Sequence, residues 1–458
     1  MTGLIWVLEA VLLGCLLVYR WTDLRTVQPA WAAWLLIFGA GAAGGIGVTS
    51  CLFFVCGVLL GSPLAALVLE LAAMAWLGYE CLRRRAPVAQ TSAETRPVAL
   101  PWIAGGLLLA LGIATAAMAI AWDLNAQGNW DAWAIWNLRA RFLASPAGLA
   151  ERAWSPVLGS FTHAEYPLLI SAFVGRAWAF SHSVSTAVPA ATSYVFFLAL
   201  IALAAGGVTV LRGPTLGLLA ALSLASAPPL LREVPAQYAD VPLAAYIAGA
   251  ILFALLDRPI LAGILAGFAA WTKDEGLLFL LLFLAATAIF RRRTALATCA
   301  GALPAAAFVA AFKLLLARGN GSLLSSSLPG ASHRIFDVSR YGTALAAFGR
   351  EFIGMASGWY HPILPLAILA VALRFERERR RDMAFSFAIL AALLLGYFGI
   401  YILTANDIVW QLQTSLSRLL VQVWPALILA GFAGLHAPEA AAIVTRVAES
   451  RVRRKARA

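Results

Sequence analysis

The sequence predicts an all-α polytopic membrane protein, a bundle of about 13 transmembrane helices with interfacial helices on its outer face. Hydrophobic residues make up 62% of the 458-residue chain and charged residues only 12%, whereas about a quarter of a soluble protein is charged. The mean hydropathy is +0.84. Apolar runs of about 15 to 25 residues recur from end to end, which is the length that crosses a hydrocarbon core. Such runs must be helical, because a helix satisfies its own backbone hydrogen bonds in lipid.

The formal net charge of +12 is concentrated in short basic clusters beside apolar segments. The clusters lie at residues 83–85, 291–293 and 374–382 and in the C-terminal tail. Basic clusters in this position mark cytoplasmic loops, so the charge predicts topology and a lipid bilayer as partner rather than a nucleic acid. The five cysteines show neither a metal-binding spacing nor a disulfide framework.

The apolar segments and the basic clusters together divide the chain into four parts. Spanning segments are predicted to begin near residues 3, 32, 64, 102, 187, 214, 241, 259, 275, 294, 361, 383 and 418. Residues 1–100 hold three N-terminal transmembrane helices and a cytoplasmic loop, and residues 101–316 hold a transmembrane core with an outer loop at 123–163. Residues 317–360 form another outer loop, and residues 361–458 hold the last helices and a basic cytoplasmic tail. A further outer loop is expected at 405–417.

Counting the crossings predicts which polar residues share a face of the membrane. Between the outer loop ending near His163 and the cytoplasmic cluster at Arg291 the chain must cross an odd number of times, yet six candidate segments lie there. The segment at 167–180 is short and contains an arginine, so it is the weakest spanner. If it enters and leaves at the outer face, Asp131, Asp240 and Lys273 all lie outside.

The outer loop at 123–163 contains an aspartate among aromatic residues, in the stretch GNWDAWAIWNLRARF. Trp130, Trp133 and Trp136 suit an aromatic belt at the membrane interface, on an interfacial helix. A belt does not require the carboxylate of Asp131. Because charged groups beside membrane segments are costly, Asp131 is a candidate functional residue.

Four more polar stretches stand at the ends of apolar segments. They are THAEYPLL at 162–169, QYADVPLA at 237–244, WTKDEG at 271–276 and the stretch 406–425. Ordinary helix starts and tight turns account for part of this polarity. The arginine in the last stretch, Arg418, either extends outward to water or presents its planar guanidinium to a phosphate. The other candidates are His163, Glu165, Tyr166, Tyr238, Asp240 and Lys273.

The order of these motifs resembles that of the GT-C membrane glycosyltransferases that use polyprenyl-phosphate sugars. The protein O-mannosyltransferases and the aminoarabinose transferases acting on lipid A are the nearest of them. Asp131 matches the acid of the family's first outer loop, AEYPLL keeps Pro167 and Leu168 of its Pro-Pro-Leu motif, and ADVPLA and WTKDEG resemble its later acid and lysine elements. The resemblance covers roughly residues 102–290. The chain departs from it in having one acid in place of Asp-Glu, no lysine before Pro167, and three additional N-terminal helices.

The resemblance implies transfer of a sugar from a polyprenyl-phosphate donor to an acceptor on the periplasmic face of a bacterial inner membrane. Asp131 then serves as catalytic base in an inverting reaction and Asp240 is the second acid. Lipid, polysaccharide and protein acceptors all remain open, as does a requirement for a divalent metal. Cations hold the phosphate, and indole rings stack on the sugar. The implied substrate-binding set is Trp130, Trp133, Arg139, His163, Glu165, Tyr166, Tyr238, Lys273 and Arg418.

Two other functional classes fit a polytopic chain with charged residues in its membrane segments. A transporter or lipid-linked saccharide flippase is the main alternative, although the sequence shows no internal repeat and its polar clusters sit at segment ends. An O-antigen polymerase or ligase also has a large outer loop. The Gly/Ser-rich start of the loop 317–360 fits either a lid over the substrate or a structureless linker.

Overall fold

The computed structural model describes residues 3–83, 100–145, 148–159, 162–321, 323–354 and 363–438. Apart from an isolated bridge between Phe375 and Leu435, the regular elements in these ranges are helices. The basic residues at 84–85 and the tail at 439–458 lie outside the described ranges. The α-helices are α1 (Leu4–Trp21), α2 (Ala30–Phe53), α3 (Pro63–Arg83), α4 (Leu100–Leu124), α5 (Asn137–Leu143), α6 (Leu169–Ser181), α7 (Ala187–Arg212), α8 (Pro214–Ala225), α9 (Pro228–Ala236), α10 (Asp240–Leu255), α11 (Pro259–Thr272), α12 (Asp274–Phe290), α13 (Arg292–Ala311), α14 (Leu323–Ser327), α15 (Ala331–Ile335), α16 (Val338–Gly354), α17 (Ile363–Leu373), α18 (Arg380–Leu403) and α19 (Ile408–Gly434).

In the described ranges, eight helices are long and apolar enough to cross a membrane. They are Leu4–Trp21, Ala30–Leu59, Pro63–Arg83, Leu100–Leu124, Ala187–Arg212, Arg292–Leu316, Arg377–Leu403 and Ile408–Gly434. Helices α8 and α9, bent by 57° at a break before Pro228, form a ninth span if they are counted as one. The bend has a local cause, because a residue before proline is disfavoured in helical conformation. The sequence predicts 13 spans because it counts α10, α11, α12 and α17 as well. These four helices have only 16, 14, 17 and 11 residues, so they are not among the long helices.

Helix α10 lies at the centre of the bundle. All of its residues are buried, and it packs against α7, α11 and α19. Its alanines and glycine permit close approach of these neighbours, which suits helix packing in a membrane protein. Its first residue, Asp240, is an acid at a helix N-terminus, where the partial positive charge of the helix dipole stabilises a carboxylate. The most buried helix therefore begins with a charged side chain.

Charged residues gather at both ends of α10, and we name the two ends of the bundle after them. At the Asp240 end, α10 begins, α11 ends and α12 begins, and Lys273 joins them by an ion pair with Asp240. At the Arg291 end, Arg291 pairs with Asp257 at 2.8 Å and with Asp382 at 2.7 Å. The basic clusters 291–293 and 374–382, predicted to share one side of the membrane, therefore meet at the Arg291 end.

The short helix α6 has both of its ends near the Asp240 end. Tyr166, just before it, lies beside Lys273, and Ser181 at its end packs with Val188 around Gly3, where α1 begins. Helix α1 runs from there to Trp21, and Asp23 shortly after it pairs with Arg258 at the Arg291 end. This arrangement agrees with the prediction that the segment at 167–180 enters and leaves on one side.

Helix α6 is fastened to the N-terminal helices by a buried charge cluster. Arg176 binds Glu9 of α1 and Glu70 of α3, and its Nη1 donates to the carbonyl of Trp6 at 2.9 Å. The arginine and Glu70 are fully buried, so each charge depends on the others for compensation. The first three helices are thus packed into the bundle rather than set apart from it.

The structure differs from three predictions about loops. Instead of starting near residue 418, α19 already begins at Ile408, where the Asp407 side chain accepts the Trp410 N–H at 2.7 Å, so most of the expected loop 405–417 is helix. The described part of the loop 317–360 forms α14, α15 and α16. It is held to carbonyls at and after the C-terminal end of α18 by Arg334 and Arg340, so it is not a structureless linker. Trp136 is buried inside the protein rather than placed in an interfacial belt.

Candidate active site

An ion pair between Asp131 and Arg418 joins two parts of the chain that are far apart in sequence. The two side chains are 22% and 20% exposed, so the pair lies at the edge of the protein interior. The guanidinium carbon of Arg418 also lies 4.8 Å from the centroid of the Tyr238 ring, a cation–π distance. Three of the polar stretches singled out in the sequence therefore meet here.

The backbone around Gly128 positions Asp131. Helix α4 ends at Leu124, and Gly128 adopts φ +72°, a left-handed conformation that favours glycine. A side chain at Gly128 would collide with the carbonyl oxygen of Ala236. The next residue, Asn129, donates its N–H to that same carbonyl at 3.1 Å. The glycine thus lets the turn press against the end of α9, which brings Asp131 towards α19.

A second charged group surrounds Lys273 and is almost fully buried. Its Nζ lies 3.0 Å from Asp240 Oδ1 and 3.0 Å from Glu275 Oε1. Burial alone lowers the pKa of the ammonium, but the carboxylates of Asp240 and Glu275 outweigh it, and the pKa of Lys273 lies above its usual range. Lys273 is therefore a permanent cation at the Asp240 end.

Helix α19 connects the two charged groups. Arg418 and Gln422 stand four residues apart and so project from one face of the helix. The Gln422 amide donates to Asp240 Oδ1, and its carbonyl oxygen accepts the hydroxyl of Tyr397 at 2.6 Å. One turn of α19 therefore fixes the spacing between Arg418 and the Asp240–Lys273 pair.

A column of rings closes the cluster on the side of Lys273. His163 stacks on Tyr166 with ring centroids 4.5 Å apart, and Tyr166 stacks on Trp136 at 5.9 Å. His163 Nδ1 also lies 3.1 Å from Glu165 Oε1, and Lys273 Nζ lies 5.8 Å from the centroid of the Tyr166 ring. Burial and the nearby carboxylates raise the pKa of Tyr166 well above its usual value, so this phenol stays neutral.

The remaining predicted aromatic residues form an exposed pair in the same loop. Trp130 and Trp133 are 54% and 45% exposed, and their rings meet edge to face at 4.5 Å. They follow directly on the turn that positions Asp131. This arrangement fits a platform for a sugar ring and also fits a membrane-interface belt.

Arg139 does not join the cluster, contrary to its predicted role in binding substrate. It is fully buried, and its guanidinium donates to the carbonyls of Ala153, His163, Ala164 and Tyr166. Burial lowers the pKa of Arg139 to about 9, against the opposing effect of Glu165 and Asp274. Because its donors are already committed to backbone oxygens, Arg139 holds the backbone at Ala153 and at 163–166 in place instead of facing a ligand.

Among the residues that the structure describes, no group of three or more His, Cys, Asp or Glu side chains is arranged to hold a metal ion. Several carboxylates at the Asp240 end are paired with cations, as Asp131 is with Arg418 and Asp274 with Lys313.

Three further members of the cluster were not predicted from the sequence. Glu275 lies in the WTKDEG stretch close to Lys273, and Gln422 follows Arg418 by four residues, which is helical spacing. Both could therefore have been predicted from the sequence. Glu233 lies in α9, in the interaction range of Asp240, Arg418 and Lys273. Its only signal in the sequence is that it precedes the stretch 237–244 by four residues.

Comparison with known proteins identifies a family for this chain. The sequence model of glycosyltransferase family 87 matches residues 166–403, just over half of the chain. The match includes Tyr166, Tyr238, Asp240 and Lys273, whereas Asp131 and Arg418 lie outside it. No curated protein and no solved structure matches the chain. The resemblance drawn from the motifs is thereby supported at the level of the GT-C class, not at the level of the mannosyl- and aminoarabinosyltransferases. The chain, with several helices that span the membrane, belongs to glycosyltransferase family 87, a family of GT-C membrane glycosyltransferases.

Proposed function

We propose that this glycosyltransferase takes its sugar from a polyprenyl-phosphate donor and transfers it to an acceptor hydroxyl at the Asp240 end of the bundle. The observation that carries the proposal is the pairing of Asp131 with Arg418, one helical turn from the Asp240–Lys273 pair. A carboxylate and two cations at the end of a membrane bundle are the groups that this reaction requires.

The two cations account for recognition of the donor's phosphate. The planar guanidinium of Arg418 can bind two phosphate oxygens at once, and Lys273 adds a point charge fixed by two carboxylates. Lys273 lies between α11 and α12, and Arg418 lies in the N-terminal half of α19. Both belong to the Asp240 end, to which a polyprenyl chain in the bilayer can bring its phosphate. Arg418 is the more accessible cation, because Lys273 is only 6% exposed.

Asp131 is the proposed catalytic base. The acceptor oxygen attacks the anomeric carbon, its proton passes to the Asp131 carboxylate, and the bond from that carbon to the phosphate oxygen breaks. The electron pair of the broken bond stays on the phosphate oxygen, where Arg418 and Lys273 stabilise the charge. One direct displacement inverts the anomeric configuration and needs no covalent intermediate with the enzyme.

The ion pair between Asp131 and Arg418 requires the donor to bind before Asp131 can act as base. Without donor, Arg418 neutralises Asp131 and holds it away from an acceptor. A bound phosphate competes for the same guanidinium, so donor binding releases the carboxylate next to the anomeric carbon. Trp130 and Trp133 are placed to cover the sugar, and His163, Glu165, Tyr166 and Tyr238 line the remainder of the site. Lipid, polysaccharide and protein acceptors each supply the required hydroxyl.

The orientation that we propose places the Asp240 end in the periplasm of a bacterium and the Arg291 end in the cytoplasm. Its support is the positive-inside rule applied to the clusters 291–293 and 374–382, which meet at the Arg291 end. The shorter helices α10, α11 and α12 alternate between the two ends, and counting them and α17 as crossings keeps the predicted total of 13.

Labelling of single cysteines tests this orientation. In a variant without the five native cysteines, Val157→Cys at the Asp240 end should react with an impermeant maleimide in intact inner-membrane spheroplasts, since Val157 is 92% exposed. Glu378→Cys, an exposed residue at the Arg291 end, should react only after permeabilisation. The reverse pattern would place the site in the cytoplasm.

Covalent transfer separates this function from transport of a lipid-linked sugar. The purified protein is reconstituted in liposomes with polyprenyl-phosphate sugar radiolabelled in the sugar, and lipid, polysaccharide and protein fractions of the bacterial envelope are supplied separately. We expect label to leave the donor and to appear covalently in one fraction. A transporter would move the donor across the bilayer with its sugar–phosphate bond intact, and that result would refute the proposal.

A further inference from the structure

Glu233 occupies a position in α9 that is tied to the turn carrying Asp131. The end of α9 binds this turn twice, through the Ala236 carbonyl, which accepts the Asn129 N–H at 3.1 Å, and through the Gln237 side chain, which donates to the Ala126 carbonyl at 3.2 Å. On its other side, the Val234 carbonyl accepts the hydroxyl of Ser193 at 2.8 Å. The backbone that directly follows Glu233 is therefore held in place beside the proposed base.

The carboxylate of Glu233 has an oxygen that no neighbour satisfies. Its Oε2 is buried and has no hydrogen-bond partner among the described residues. Four charged groups act on this carboxylate. Arg418 and Lys273 are the proposed phosphate-binding cations, Asp240 is the second acid, and Arg232 precedes Glu233 in α9. By contrast, both Asp131 and Asp240 are engaged with cations.

A buried carboxylate oxygen without a donor is costly, so the site favours a ligand that brings an O–H group to it. An ionised Glu233 would repel the phosphate, so the phosphate is the less favourable ligand. A sugar hydroxyl is neutral and donates a hydrogen bond, and the sugar is the part of the substrate next to the phosphate.

We propose that Glu233 is a specificity-determining residue that accepts a hydrogen bond from a sugar hydroxyl in the active site. This inference rests on the proposed function and adds to it the group that recognises the sugar itself. The hydroxyl belongs either to the donor sugar or to a sugar acceptor.

The test compares Glu233→Gln with wild type in binding to two probes, polyprenyl phosphate without a sugar and polyprenyl-phosphate mannose. Glutamine keeps the shape of the side chain but loses its charge. The matched control is Glu351→Gln in α16, because Glu351 also has a buried Oε2 without a partner but lies outside the cluster. The KM for the acceptor fraction that takes up label is measured in parallel.

If the hydroxyl is the donor's, Glu233→Gln should weaken binding of the sugar-bearing probe by about tenfold to a hundredfold. Binding of the sugar-free probe should be at least as strong as in wild type, because a carboxylate that acts on Arg418 and Lys273 is lost, and this also shows that the variant is folded. If the hydroxyl is the acceptor's, neither probe should bind more weakly than to wild type, and the KM for the acceptor should rise by a similar factor. Glu351→Gln should change none of these values.

Two results would overturn the inference while leaving the proposed function in place. One is that Glu233→Gln binds both probes and the acceptor as wild type does. The other is that both probes are weakened equally, since Glu233 would then act on the phosphate site alone. If wild-type protein binds neither probe, the proposed function fails, and the role of Glu233 fails with it.

Discussion

Replacing Asp131 by asparagine is expected to lower turnover by about 10²- to 10⁴-fold, the contribution of a general base. Asparagine keeps the size of the side chain and can still occupy the turn after Gly128, but it cannot take the proton of the acceptor hydroxyl. Donor affinity should be unchanged or higher, because Arg418 loses its competing carboxylate. Initial rates at saturating donor, together with donor binding to the purified variant, measure the two effects separately.

Asp123→Asn is the matched control for this substitution. Asp123 is exposed near the end of α4, eight residues before Asp131 but outside the cluster. It should transfer sugar at the wild-type rate. Near-normal turnover in Asp131→Asn would remove Asp131 from the role of base, whereas a parallel loss of donor binding would indicate a structural role.

The second large effect is expected from Arg418. Arg418→Gln should weaken the binding of polyprenyl phosphate by about tenfold to a hundredfold, because a charge-assisted contact with the phosphate is lost. Arg418→Lys should restore only part of the affinity, since an ammonium does not form the paired contacts of a guanidinium. Binding to the sugar-free lipid phosphate measures this directly, with Arg350→Gln, an exposed arginine of α16, as control.

The two substitutions combined test whether Asp131 and the phosphate compete for Arg418. Any gain in donor affinity caused by Asp131→Asn should disappear when Arg418 is already glutamine, because the effects of coupled residues are not additive. Equal gains in both backgrounds would show that Asp131 acts on the donor independently of Arg418. Full donor affinity in Arg418→Gln would exclude the arginine from the phosphate site.

The sequence predicts part of the charged cluster. Asp131, Asp240 and Lys273 were placed on one face by counting membrane crossings, and the structure brings all three to the Asp240 end. The inference worked because charge is costly in a bilayer, so a charged side chain at the end of an apolar segment is informative. The sequence leaves two interpretations of Arg418, and the structure shows its guanidinium in contact with Asp131 within the cluster rather than extended into water.

What the sequence did not reveal were the partners of each charge. Arg139 and Arg418 look alike in sequence, but one is surrounded by backbone carbonyls and the other faces a carboxylate and a tyrosine ring. The difference depends on where the carbonyls of Ala153 and of residues 163–166 lie, which no local sequence pattern determines. The number of membrane spans is also difficult to predict from the sequence. Helices as short as α11 are buried among others in the bundle, so their length does not have to match the bilayer.

The most direct measurement of the central claim is an experimental structure with a polyprenyl phosphonate sugar, a donor analogue in which carbon replaces the oxygen between sugar and phosphorus. We predict phosphonate oxygens within about 3 Å of the Arg418 guanidinium, a typical hydrogen-bond distance. Lys273 should lie beside the same group, and Asp131 should be separated from Arg418 and face the anomeric carbon. An analogue bound elsewhere, with the Asp131–Arg418 pair intact, would contradict the account.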